Sequence, residues 1–291
     1  MKNISILLVL FLFLFDVQAQ ESGQTELVAG DDIVYSEQDV AIFSDIIQRY
    51  KAKKKESLGE LIPEIGTYFL GNEYVAHTLE VTDKEKLIVN LREMDCTTYA
   101  ENLLALARTL KSENTTFQQF TKELEKIRYR DGARGEYPTR LHYFSEWIYN
   151  KKDNNLAVTP VDSFGEPFPN KINFMSNHIS SYKHLENNTE YVSLIAQQEK
   201  EISSKNYFYL PKNKIEANEH LLKEGDIVGI TTNISGLDVA HVGVLVEQNG
   251  RMHLMHASQS KLKVEISDQP VAAYLQPVST FTGIMIARPI N

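Results

Sequence analysis

One cysteine occurs in 291 residues, which excludes a disulfide scaffold. Positive charge is also scarce. Thirty Lys and Arg stand against 39 Asp and Glu, for a net charge of −9 and a pI near 5.5. That balance argues against nucleic acid and anionic membrane surfaces, which both want a basic face. Beyond the N-terminus no stretch is long and apolar enough to span a bilayer, so no membrane insertion is expected. No repeat period and no low-complexity segment is visible. The apolar fraction of 42% is ordinary for a globular protein.

The N-terminus has three parts. Lys2 supplies a short basic start, residues 4–15 form an apolar run, and Asp16-Val17-Gln18-Ala19 ends in a small residue before polar Gln20-Glu21-Ser22. This is the pattern of a secretory signal peptide, with cleavage expected after Ala19. No Cys follows that site, so a lipid anchor is not expected. The expected product is a soluble protein, periplasmic or secreted, with residues 20–291 as a single domain.

The lone cysteine lies in Leu91-Arg92-Glu93-Met94-Asp95-Cys96-Thr97-Thr98-Tyr99-Ala100-Glu101. Asp95 can cap a helix whose apolar stripe is Tyr99, Leu103, Leu106, Ala107 and Leu110. That places the thiol on the first turn. Free backbone N–H groups and the positive end of the helix dipole favour thiolate there. A thiolate at a helix start suits a nucleophile. The rival is an inert, buried Cys acting as a small hydrophobe.

Helical spacing is expected at 40–50, 58–69, 84–91, 117–127 and 182–200, with 70–74 as a turn. Residues 20–37 read as loose and 151–170 as a long connection. Strand-like runs follow at 226–232, 241–247, 251–257, 262–266 and 283–288. Helices first and an antiparallel sheet afterwards describe an α+β domain. Between the cysteine helix and the sheet, an aromatic-rich insertion covers about 112–220. Tyr129, Arg130, Tyr137, Arg140, His142, Tyr143 and Trp147 crowd into it. Such a segment suits sugar or peptide recognition, and it equally suits a loop packed by its own aromatics.

A cysteine nucleophile needs a base, and the base an orienting group. Three of the eight histidines, His241, His253 and His256, flank the hairpin signal Asn249-Gly250. A two-residue loop pairs Gln248 with Arg251 and sets Gly243 opposite His256. His241 and His256 then share one face, and His253 takes the other. A three-residue loop reverses that choice. Gly243 is expected to leave room for a helix or substrate. Zinc held by Cys96, His241 and His256 is the rival to a catalytic trio.

The order Leu70-Gly71-Asn72-Glu73-Tyr74, Asp95-Cys96, Gly225-Asp226-Ile227, His241-Val242-Gly243-Val244 and His256-Ala257-Ser258 resembles the NlpC-type papain-like cysteine peptidases that cut bacterial cell-wall peptides. Further runs narrow the resemblance. They are Tyr137-Pro138-Thr139-Arg140-Leu141-His142-Tyr143, Phe174-Met175-Ser176-Asn177-His178 and Gly236-Leu237-Asp238-Val239-Ala240-His241. These are similar to a secreted branch, the N-acetylmuramoyl-L-alanine amidase-like proteins. The resemblance implies Cys96 as nucleophile, His241 as base, His256 as orienter and Asp95 as a peptide contact. It implies a peptidoglycan or muropeptide substrate, no cofactor, no metal and no obligate protein partner. Thr97-Thr98 stand where the superfamily has Ser-Gly, and with the aromatic insertion this fits a wider pocket that admits sugar. Tyr129, Tyr137, Arg140 and Tyr143 are the expected substrate contacts. The alternatives are a γ-D-glutamyl-diamino-acid endopeptidase, a non-catalytic cell-wall binding module and, more distantly, a lipid acyltransferase.

Overall fold

The computed structural model describes residues 27–29, 32–153, 158–160, 162–169 and 171–290. The expected export signal at 1–19 lies outside the described residues. The N-terminal part holds β1 (Leu27–Ala29), β2 (Ile33–Ser36), α1 (Glu37–Tyr50), α2 (Leu58–Tyr68), β3 (Leu87–Ile88), α3 (Cys96–Lys111) and α4 (Phe117–Arg128). The middle holds α5 (Phe144–Asp153), β4 (Val158–Pro160), β5 (Glu166–Pro167), α6 (Phe174–Asn177), α7 (Thr189–Ser203), β6 (Phe208–Pro211) and α8 (Ile215–Asn218). The C-terminal part holds β7 (Ile227–Thr232), β8 (Val239–Gln248), β9 (Arg251–Ser258), β10 (Lys263–Pro270), α9 (Val271–Leu275) and β11 (Phe281–Pro289).

The first three long helices begin alike. Ser36 with Asp39, Ser57 with Glu60, and Asp95 with Thr98 each form a reciprocal pair between cap side chain and third-residue side chain. Each pair satisfies two backbone N–H groups that a helix start leaves open, and losing such a cap costs about 1 kcal/mol. The helix starts are therefore local decisions of three or four residues.

Among the described residues, the main sheet has eight strands in the order β10-β9-β8-β7-β11-β6-β5, with β4 paired to β11. Its pairs are antiparallel. Both faces are covered. Val244, Val246, Met255 and Ala257 join the large cluster built with α2, α3 and α4. Leu245 and Leu254 join Ile215 of α8 and Val271 and Leu275 of α9 on the other face. Cover on both sides explains why every residue of β7 is buried rather than every second one. The arrangement is α+β.

The cysteine helix is more enclosed than one apolar stripe predicts. Ala100, Leu104 and Ala105 are as buried as Tyr99, Leu103 and Leu106. A helix apolar on most sides belongs in the middle of a core, and α3 packs against α2, α4, β8 and β9.

Several expectations need correction. Residues 84–91 form no helix. Leu87 and Ile88 pair in parallel with Ile33 and Val34, closing a small sheet β1-β2-β3 over part of the segment read as loose. A short buried apolar run carries no period, and here the partner strand decided. The connection 151–170 contributes β4 and β5. The helix expected from residue 182 begins at Thr189, where Asn188 accepts a hydrogen bond from the Tyr191 N–H.

Candidate active site

Asp95 takes the extended N-cap conformation, and its Oδ1 accepts hydrogen bonds from the N–H and hydroxyl of Thr98 at 2.7 and 2.9 Å. Cys96 is consequently the first residue of α3. The Tyr99 N–H goes to the Asp95 carbonyl at 3.0 Å. Asp95 thus claims the third and fourth N–H groups of the turn and leaves those of Cys96 and Thr97. Cys96 is half-buried as a residue, and its sulfur lies 4.0 Å from the Thr97 hydroxyl.

The hairpin turn has Asn249 and Gly250 at φ +54° and +75°, the left-handed pair that a two-residue loop requires. Gln248 pairs with Arg251 and Val244 with Met255. His241 Nε2 lies 2.7 Å from His256 Nδ1, with the rings perpendicular. His253 faces the other side, where its Nδ1 donates to the Ser267 carbonyl at 2.8 Å.

Gly243 does not open a path for substrate. A Cβ there would meet Leu254 Cδ1 at 2.6 Å and His256 Cβ at 3.1 Å. The missing side chain makes room first for Leu254 and then for His256.

Cys96 and His241 line one cavity of about 140 Å³. Ala240 and Val242 stand beside His241, and Leu141, His142, Phe144 and Trp147 form an apolar and aromatic wall. Asp238 completes the floor. Its Oδ2 accepts from the N–H and hydroxyl of Ser145, both at 2.8 Å, and its Oδ1 from the Val239 N–H at 2.7 Å. That carboxylate ties the start of α5 to the entry of β8.

Burial dominates the electrostatics. It pushes the Cys96 thiol up to about 12, aided by the Asp95 charge, while the N–H groups of Val242 and Thr97 pull the other way. It lowers His241 to about 3, with His256 adding to the effect, and lowers His256 to about 4. Burial therefore opposes the thiolate that the helix start favours.

The four side chains expected to touch substrate are placed elsewhere. Arg140 is buried, with Nε and Nη2 on Glu85 at 3.2 and 2.7 Å and Nη1 on Glu80 at 2.7 Å. The Tyr129 hydroxyl donates to Glu85 Oε1 at 2.6 Å. The Tyr137 ring stacks on His184 and lies tilted against His142. The Tyr143 hydroxyl donates to Glu199 at 2.6 Å and accepts from the Met175 N–H at 3.0 Å. The polar atoms of Arg140, Tyr129 and Tyr143 are consumed inside the protein, so these side chains hold the wall rather than form it. The same segment supplies Leu141, His142, Phe144 and Trp147 to the cavity instead.

Sequence reasoning named His142 in the aromatic insertion but gave it no role at the site, although it sits between the chosen Arg140 and Tyr143. It also passed over Tyr74. That phenol is pushed up to about 12, chiefly by burial. Among the described residues, no group of three or more His, Cys, Asp or Glu is placed to hold a metal ion. No helix among them is long and apolar enough to cross a membrane.

A protein-family model described as N-acetylmuramoyl-L-alanine amidase-like matches residues 64–283. A crystal structure of an N-acetylmuramoyl-L-alanine amidase from Bacteroides uniformis is 37% identical, with a TM-score of 0.75. The match covers 80% of this chain and 99% of that one. A structure from Bacteroides fragilis, provisionally named a xylanase, is 38% identical with a TM-score of 0.72, covering 77% and 98%. A Legionella pneumophila protein at 20% identity and a TM-score of 0.63, covering 88% and 95%, shares the fold. No curated protein matched the chain. With three quarters of its length inside the family match and close structural likeness besides, the chain belongs to the N-acetylmuramoyl-L-alanine amidase-like family.

Proposed function

We propose that this protein is an exported N-acetylmuramoyl-L-alanine amidase of NlpC-type, papain-like construction, acting through Cys96, His241 and His256. The reading rests on one observation above others. Cys96 at a helix start and His241, backed by His256 at 2.7 Å, line the same apolar cavity. The signal at 1–19 would direct residues 20–291, as one domain, to the periplasm or exterior, where peptidoglycan is found.

The chemistry follows from the nitrogen assignments. His241 Nε2 is engaged by His256, so Nδ1 is left for Cys96. As the sulfur attacks the carbonyl joining the lactyl group to L-alanine, its proton passes to His241 Nδ1. The oxyanion forms beside the Cys96 N–H, one of the two first-turn donors that Asp95 does not claim. His241 then protonates the alanine nitrogen, the C–N bond breaks and the peptide leaves. Water gives a proton to His241 and attacks the thioester. The C–S bond breaks, the muramoyl carboxylate departs and sulfur recovers its proton. Asp95 is the further contact proposed for the peptide, through Oδ2, since both of its bonds to Thr98 fall on Oδ1.

A glycosidase needs two carboxyl groups free to face each other across a sugar. The cavity's two carboxyls are Glu101, paired with buried Arg128 at 2.8 Å, and Asp238, held by Ser145 and Val239. Neither is available, which favours the amidase. Digestion of defined muropeptides followed by mass spectrometry tests the reading. Scission between lactyl and L-alanine is expected, with free stem peptide left intact. Cleavage of free tripeptide after D-glutamate would assign the endopeptidase reaction instead, and binding without turnover would assign a binding module.

A further inference from the structure

His256 has two ring nitrogens, and His241 accounts for one. The other, Nε2, is buried and has no hydrogen-bond partner. An unpaired polar atom at such a depth is costly. Its nearest ionic neighbour is Glu265 Oε1 at 4.0 Å. Glu265 stands directly opposite His256 in the β9–β10 ladder, so the two side chains share a face. The carboxylate is itself largely buried, with 15% of its side chain exposed. A bridging water or a small rotation of the glutamate closes the remaining gap.

The choice of proton on His256 decides what His241 can do. Between His241 Nε2 and His256 Nδ1 one nitrogen donates and the other accepts. If His256 carries its proton on Nε2, Nδ1 accepts from the His241 Nε2–H, and His241 Nδ1 is a bare lone pair. If His256 carries it on Nδ1, it donates to His241 Nε2, the His241 proton moves to Nδ1, and that nitrogen has no capacity left as a base. An acceptor facing His256 Nε2 selects the first arrangement.

We propose that Glu265 is a positioning residue that holds the proton of His256 on Nε2 and so keeps His241 Nδ1 free. Its effect on rate rests on the amidase reading above, whereas its effect on the ring does not. Other groups also face Glu265. Lys261 Nζ lies 3.6 Å from Oε2 and 3.5 Å from Asp268. Tyr274 packs 5.6 Å from the His256 ring and is raised by burial and by the Glu265 charge. Lys263 stands two residues along the same strand. Lys261 competes for the carboxylate, and Tyr274 closes the pocket around it.

The test uses the mature chain with ¹⁵N-labelled histidine. Ring shifts of His256, assigned by comparison with His256→Gln, report the protonated nitrogen. Wild type is expected to show the Nε2–H form. Glu265→Ala should lose it in favour of a mixture, and Glu265→Gln, isosteric and still able to accept, should retain most of it. Lys261→Met, which keeps the carboxylate, should leave the form unchanged. On muropeptide, Glu265→Ala should lower kcat about 10-fold or more with KM little altered, as when a carboxylate that orients a functional histidine is removed. Glu265→Gln should recover part of that loss. An unchanged His256 tautomer in Glu265→Ala, or equal kcat losses in the Ala and Gln variants, overturns the proposal. If the tautomer shifts as stated while wild type cuts no muropeptide, the amidase reading fails and the role of Glu265 stands.

Discussion

Cys96 sits between opposed influences, and the magnitudes decide how it works. The helix start and two backbone N–H groups favour thiolate, yet burial holds the thiol near 12. Burial also lowers His241 to about 3, which opposes the imidazolium that would pair with a thiolate. Alkylation of Cys96 by iodoacetamide should therefore be slow at neutral pH and climb through the alkaline range. A fast plateau between pH 5 and about 8, as a low-pKa nucleophile gives, would contradict that. Cys96→Ala should abolish turnover and leave the melting temperature nearly unchanged. The two other hairpin histidines separate by face. His256→Ala should cost about 10²-fold or more in turnover, by analogy with other triad orienters. His253→Ala removes the bond to Ser267 and should act on stability, not turnover. Activity assays beside thermal melts of both variants would expose the reverse order.

The stretch from Tyr129 to Trp147 behaves as an element built backwards from its surface appearance. Arg140, Tyr129 and Tyr143 turn inward onto Glu80, Glu85 and Glu199, while Leu141, Phe144 and Trp147 are offered to the cavity. Arg140→Ala would leave Glu85 buried without its guanidinium. Breaking a buried pair from one side costs about 3–5 kcal/mol, so the urea midpoint should fall sharply. At low denaturant Cys96 should still react with a small alkylator at the wild-type rate. An unchanged midpoint would return Arg140 to the list of substrate contacts. The identity of these partners was not legible in sequence, because Glu80 and Glu85 precede Arg140 by 60 and 55 residues and the segment 84–91, which carries Glu85, was misread as helical.

At the scale of the whole molecule, burying neutral histidines makes the fold acid-sensitive. His142, His241 and His256 are lowered by burial to about 3, 3 and 4 from an ordinary 6.5. Between those values and 6.5 the unfolded chain binds more protons than the native one. Stability is then greatest above about 6.5 and is lost progressively as pH falls towards 4. Thermal melts at pH 7.5, 5.5 and 4.5 should show a declining midpoint, with a smaller decline in His142→Gln. A midpoint independent of pH over that range would refute the account.

Two features of the site were decided within a few residues and were readable from the chain alone. Asp95 and Thr98 fix the helix start and put Cys96 on its first turn. Asn249 and Gly250 fix the hairpin and, through the two-residue period of a strand, set His241 beside His256. Caps and tight turns act through adjacent backbone groups, so their chemistry is written locally. What faces the cavity was decided by packing. Burial on every side of α3, the inward turn of Arg140 and the tyrosines, and the raised thiol arise from residues far apart in the chain, whose partners exist only once the sheet and helices have closed on each other.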